Sequence, residues 1–185
     1  IENMELLKTM GRDKERFFWE YMEIPMKADD NGLNLYVLQC KNHILNPLKE
    51  NYGIDVSDSA IRKAVAEHNR VCRLIRAIGE FRKDEKPRIT GYEFHMITLA
   101  TYVAPKQLLI EKLEETLEEL KTREPDDTRY RARVVVVGSE VDDMDFIKLV
   151  EDSGAYVCAD RFCCGSFPGR DPIAVSYTHL RAHET

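Results

Sequence analysis

Residues 133–170, RVVVVGSEVDDMDFIKLVEDSGAYVCADRFCCGSFPGR, decide the fold. Arg133 leads into Val134-Val135-Val136-Val137, a β-branched run that fits a strand buried on both faces, as in parallel sheets. Gly138-Ser139-Glu140 makes the turn. Asp142 or Asp143 caps a helix to about Ser153, and Gly154 closes it. Residues 155–159 then form a second short strand. Strand, helix and strand in this order are half of a doubly wound α/β fold.

Upstream of this unit the style is helical. Residues 2–11 show a short helical pattern with Met4, Leu6, Leu7 and Met10 as apolar positions. Residues 17–24 (FFWEYMEI) are aromatic, partly alternating, and stop at Pro25, which reads as a strand. Asp29 or Asp30 caps the next helix, whose apolar positions Leu33, Leu35, Tyr36, Leu38, Ile44, Leu45 and Leu48 predict an inward face ending near Gly53. Ser57 is an N-cap for a long helix over 58–82, striped by Ile61, Val65, His68, Val71, Cys72, Ile75 and Ile78. Thr90-Gly91-Tyr92-Glu93 fits a capping box opening a helix to about Tyr102. Pro105 opens another to about Arg123, with Leu108, Leu109, Leu113, Leu117 and Leu120 inward. Its Glu and Lys residues between 111 and 121 are a solvated face. Residues 124–127 (EPDD) form a polar break.

These readings predict an α/β chain in which a helical segment is followed by the start of a Rossmann-like parallel α/β domain, incomplete at both ends. Residues 1–25 read as the end of an N-terminal α/β domain, 26–127 as a helical domain, and 128–175 as the first part of the C-terminal Rossmann-like domain. Residues 176–185 (SYTHLRAHET) abandon the preceding pattern and read as a non-native read-through tail, so the His179/His183 pair is not assigned to metal.

Composition narrows the function. Of 185 residues, 43% are hydrophobic and 32% charged, a balance that builds a core. The net charge of −6 carries no basic stripe, which argues against nucleic acid. No run approaches the roughly 20 apolar residues that span a bilayer. The expectation is a cytoplasmic protein with no membrane partner. Five cysteines, an odd and irregularly spaced set, make a poor disulfide framework.

In open α/β sheets, ligands bind beyond the carboxyl ends of the strands. Two loops reach that edge, 138–143 and 160–170. Their glycines Gly138, Gly165 and Gly169 allow sharp turns and close approach of a ligand to backbone, and Gly138-Ser139 ahead of a helix offers amides to a phosphate or a cluster sulfide. Cys163 lies in the second loop, beside Arg161 and two residues before Gly165. Residue chemistry alone leaves it either a structural thiol or a ligand or reactive group. Cys40 and Cys72 fall on helical stripes and Cys158 falls within a strand, which reads as packing. Because Cys163 and Cys164 are adjacent, one is expected to point away. Among the carboxylates Glu140, Asp142, Asp143 and Asp145, most read as helix caps, with Glu140 the one that faces a substrate. His43, His68 and His95 read as packed or surface residues.

The sequence of residues 133–170, with Asp160-Arg161-Phe162-Cys163-Cys164-Gly165 as an Asp-x-x-Cys-x-Gly motif, resembles the start of the C-terminal domain of the 2-hydroxyacyl-CoA dehydratase family. The superfamily also contains the ATP-dependent benzoyl-CoA reductases. Asn69-Arg70, Pro87-Arg88-Ile89-Thr90-Gly91 and the Leu- and Glu-rich helix agree with it, so that the resemblance covers most of residues 1–175. It implies a lyase subunit that removes water from an (R)-2-hydroxyacyl-CoA to give a 2-enoyl-CoA through a ketyl radical. The resemblance further implies a [4Fe–4S] cluster held by three cysteines, with Cys163 at the last ligand position and Gly138, Ser139, Glu140 and Gly165 as its loop neighbours. The other two ligands are expected upstream of Ile1, so this chain alone is expected to be inactive. The partners implied are a homologous second subunit in a heterodimer, an ATP-dependent iron–sulfur activator protein, and the acyl-CoA substrate. Two alternatives are a subunit reducing an aromatic acyl-CoA, and a non-catalytic α/β electron-transfer or binding module.

Overall fold

The computed structural model describes residues 9–10, 20–166 and 171–173. The expected helix at 2–11, the aromatic positions Phe17, Phe18 and Trp19, Gly169 and the tail at 176–185 fall wholly or mainly outside them. The chain divides into two units between Ile61 and Arg62.

In the first unit, Asp29 caps helix α1 (Asp30–Cys40), its carboxylate accepting the Gly32 N–H at 2.8 Å. The helix then loosens into a π turn, Lys41–Leu45, before α2 (Asn46–Tyr52), which Gly53 ends in the left-handed conformation at φ 65°. Pro47 explains the π turn: it has no N–H for the carbonyl four residues back, and its ring would press on that carbonyl. Two expectations fail here. Residues 20–24 are irregular rather than a strand, for an extended segment needs a neighbouring ladder and none is present among the described residues. The apolar face assigned to α1 is largely open as well: Leu35, Tyr36, Leu38 and Ile44 are exposed, while Val37, off that stripe, is buried. Periodicity proposes a face, but only a covering layer buries it.

The second unit carries the main core. Helix α3 (Asp58–Glu80), nearly all of it in this unit, buries Val71, Cys72, Ile75 and Ile78. Helix α4 (Gly91–Val103) opens with the predicted capping box, Thr90 Oγ1 accepting from Glu93 N while Glu93 accepts from Thr90 N. Helix α5 (Lys106–Thr122) contributes Leu109, Leu113 and Leu120. Together with Ile89 and Phe94, all of these side chains except Cys72 form one apolar cluster, each worth roughly 1.5–3 kcal/mol on burial. Leu108 is the exception to its expected stripe and faces solvent at 67% exposure. The ion pairs on α5 are i,i+3, Lys112 with Glu115 and Lys121 with Glu118.

The decisive stretch forms strand β1 (Ala132–Val137), helix α6 (Met144–Asp152) and strand β2 (Ala155–Arg161). Asp143 caps α6 by accepting from Asp145 N, and Gly154 follows it at φ 90°. The strands pair in parallel, as an α/β reading requires, with a bulge that skips Cys158 opposite the Val134/Val135 step. The valine run is not covered on both faces. Val134 and Val136 pack with Ile147, Val157 and Phe162, whereas Val135 and Val137 are exposed, because the described residues put a layer on one side of the sheet only. Among the described residues no helix is long and apolar enough to cross a membrane.

Candidate functional site

The parallel pairing brings both expected loops to one sheet edge, because β1 and β2 end side by side at Val137 and Arg161. Two backbone bonds then join the loops: Gly138 N donates to Arg161 O at 3.2 Å, and Cys163 N donates to Ser139 O at 2.7 Å. Gly138, Ser139, Cys163 and Gly165 are thus gathered, with Glu140 exposed beside them.

Local alternation then orients the thiol. Phe162 turns inward into the Ile147–Val157 cluster and is 1% exposed, so its neighbour Cys163 turns outward. Of the five cysteines Cys163 alone is exposed, while Cys164 is half-buried. The loop backbone is fastened from the side by Tyr102, whose hydroxyl donates to Cys163 O at 3.2 Å and approaches Gly165 O at 3.5 Å.

The loop owes its shape to Asp160. Its carboxylate accepts Ser166 N at 2.6 Å and Ser166 Oγ at 3.0 Å, which draws the five residues between them into a tight turn. Arg82 Nη1 donates to the same carboxylate at 2.8 Å, and the two side chains are only 9% and 5% exposed. A lone buried carboxylate would be costly; the guanidinium and the two Ser166 donors offset its desolvation. Arg82 is itself seated over the Phe94 ring, 3.6 Å from the centroid. Gly165 closes the turn where no side chain fits: a Cβ there would collide with Asp160 Oδ1 and stand 2.6 Å from Phe162 Cε2. The Asp-x-x-Cys-x-Gly spacing is therefore a folding instruction, a staple and a gap that together present the cysteine. Gly138, in contrast, meets nothing within 4 Å at its Cβ position and needs no left-handed backbone, which leaves open space over that turn.

Electrostatics around the thiols favour the protonated form at Cys164. Burial pushes its thiol up first, and Asp142, Glu140 and Cys163 add to the shift. Behind Phe162 stands His95, edge-on at 5.2 Å between ring centroids, 3% exposed, with no hydrogen-bond partner on either ring nitrogen among the described residues. Burial holds its pKa below the usual imidazole range, against the pull of Asp160 and Asp142.

Sequence reasoning placed the cysteine but passed over what holds it. In the sequence Asp160 stands out only as part of the motif, and nothing marks Arg82, Tyr102 or Ser166 as its partners. The available signal was an acidic residue at the last turn of an apolar strand, a position that demands a buried cation. Cys72 is sealed in the apolar core, where its Sγ lies 3.4 Å from His68 Nε2, and Cys158 Sγ contacts Val134 O at 3.4 Å. Cys40 lies in the first unit, and no group of three His, Cys, Asp or Glu residues able to hold a metal occurs among the described residues. Cys163 therefore presents a single outward sulfur on a fixed backbone, a soft donor of the kind that iron–sulfur clusters take.

Compared with known proteins, residues 3–182 match the family model described as 2-hydroxyglutaryl-CoA dehydratase, D-component. No curated protein matches the chain.

Proposed function

From the premise that this chain belongs to the 2-hydroxyglutaryl-CoA dehydratase D-component family, we propose that it is a subunit of an iron–sulfur enzyme that dehydrates an (R)-2-hydroxyacyl-CoA to a 2-enoyl-CoA by a ketyl-radical route. Membership makes it a component of a dehydratase, a lyase with more than one component. The proposal adds Cys163 as one ligand of a [4Fe–4S] cluster, with the remaining ligands outside the described residues. It also adds a homologous second subunit, an ATP-dependent activator, and a cytoplasmic setting.

The observation that carries this reading is the outward Cys163 sulfur, held on a loop cinched to the carboxyl ends of two parallel strands, where α/β sheets bind ligands. When bound, the cluster supplies the single-electron chemistry that the route needs. The chain's own residues fix the thiol: Ser139 O and Tyr102 hold the loop backbone, and Asp160 with Arg82 sets its curvature. In this reading the exposed carboxylate of Glu140 meets a hydroxyl of the substrate at this edge, and the space over Gly138 is where its bulk would lie.

The test is iron analysis and electron paramagnetic resonance of the anaerobically purified subunit in complex with its partner, before and after Cys163→Ala. The expected result is close to four irons per cluster in the parent and loss of the signal in the variant. An unchanged cluster signal after Cys163→Ala would remove the assignment. Turnover of an aromatic acyl-CoA and not of a 2-hydroxyacyl-CoA by the activated complex would move the reaction to the reductase side of the superfamily.

A further inference from the structure

Asn69 stands in the middle of α3 and is 5% exposed. Asn is a poor helix former, and a buried side-chain amide needs partners for both of its ends. Here both ends meet a single residue 104 positions further on. Nδ2 donates to Ile173 O at 2.8 Å, and Oδ1 accepts from Ile173 N at 2.7 Å. The amide does what a neighbouring strand does, pairing with both backbone groups of one residue. The hold is on backbone, and Ile173 itself stays 51% exposed.

Two further points join this helix and its end to the chain that follows Cys163. Arg76 Nη1 donates to Asp171 Oδ1 at 2.7 Å. Just beyond α3, Arg82 holds Asp160, whose carboxylate accepts both Ser166 donors. In chain order, then, Ser166, Asp171 and Ile173 lead back to Arg82, Arg76 and Asn69, so the chain leaving the loop runs antiparallel to α3. Asn69 and Arg76 are seven residues apart, close to two helical turns, and so share one face. The anchors are unequal. Arg76 and Asp171 have side chains 57% and 90% exposed, and such a pair contributes little. The Asn69 amide is shielded from water, where losing either bond leaves a polar group unsatisfied.

We propose that Asn69 is a positioning residue for Cys163: it clasps the chain that leaves the cysteine loop, so that the loop is held at its exit as well as at its root. It acts through the Ile173 backbone rather than by touching the thiol. The inference rests on the proposed function only in taking Cys163 as the working group of this edge, and it needs neither the cluster nor the dehydration.

The test uses the full chain, assayed free of iron. Hydrogen exchange is followed at single amides, and alkylation of Cys163 by iodoacetamide is read on its own peptide. The parent is compared with Asn69→Leu and with Val71→Ala, a control for general loosening, since Val71 lies in the apolar cluster of the same helix. Asn69→Leu is expected to speed exchange of Ile173 N–H about ten-fold, and exchange at Cys163 and Ser166 N–H together with Cys163 alkylation about three-fold. Val71→Ala is expected to leave Cys163 alkylation unchanged. Asn69→Asp keeps the acceptor for Ile173 N–H, serves if the Leu variant does not fold, and adds a signature that packing cannot give. Its ionised carboxylate faces Ile173 O, whereas the protonated acid donates to that oxygen as the amide does. Burial raises the carboxyl pKa, so the excess alkylation of Asn69→Asp over the parent should shrink as pH falls from 8 to 5. Faster exchange confined to Ile173, with Cys163 and Ser166 unchanged, would overturn the proposal. So would an equal rise in Val71→Ala, an unprotected Ile173 amide in the parent, or a pH-independent ratio for Asn69→Asp. None of these readouts involves iron or turnover, so they stand whether or not the dehydratase reading does.

Discussion

Helix α3 around Cys72 and the loop around Cys163 lie in the same unit, yet they are ordered by different physics. Cys72 is 0% exposed, between Val71 and Ile75 on a stripe that packs against Ile89, Phe94 and the leucines of α5. Its position follows from removing apolar area from water, a non-directional force that tolerates many side chains. Around Cys163 only Phe162 contributes that way. The rest is directional: a buried ion pair, hydrogen bonds with fixed donors, and a glycine gap. Polar scaffolding of this kind tolerates less substitution, and together with the buried Phe162 it holds the neighbouring side chain out in solvent.

This contrast is broken or sharpened most strongly at Asp160. Asp160→Ala leaves Arg82 buried and unpaired, with an expected loss of about 3–5 kcal/mol in a urea unfolding titration. Ile75→Ala on the apolar side is expected to cost about 3 kcal/mol. An Asp160→Ala effect far below that of Ile75→Ala would mean that the loop is held by packing after all. Gly165→Ala is expected to cost about 1–3 kcal/mol by overpacking against Asp160 and Phe162, and to change the rate at which Cys163 is alkylated.

A smaller effect separates His95 from the rest. Burial lowers its folded pKa below the unfolded value of about 6.5. The native state therefore holds fewer protons than the unfolded chain in this range. Its stabilising contribution is fully present above that value and falls away as pH drops through the folded pKa. Unfolding midpoints measured between pH 7 and pH 5 should decline more steeply for the parent than for His95→Phe; parallel slopes would show that His95 is not desolvated. The smallest change is expected from Cys163→Ala, under about 0.5 kcal/mol of stability. A thiol reagent should find one fast-reacting cysteine in the native chain, lost in this variant, while Cys72 stays protected until unfolding.

Much of the fold was legible because local rules set it. Asp29, Ser57, Thr90-Glu93 and Asp143 all cap as their spacing predicts, and Gly53 and Gly154 take the positive φ that ends a helix. The two strands and their connecting helix were legible for the same reason, since period and punctuation are local. The misreadings share the opposite cause. Leu108, Val135, Val137 and the α1 stripe are apolar in a regular pattern, but whether such a face is covered depends on residues distant in sequence. Residues 20–24 have strand-like composition but no neighbouring strand among the described residues.

By itself, then, the sequence determined where elements start and stop, that the chain is α/β, and that a cysteine occupies the loop after a parallel strand, because caps, turns and periodicity act over a few residues. The tertiary structure alone decided how that cysteine is presented and what surrounds it. Arg82 meets Asp160 across 78 residues, and Asn69 meets Ile173 across 104. Pairings at such separations are set by packing and charge in three dimensions, and no local pattern encodes them.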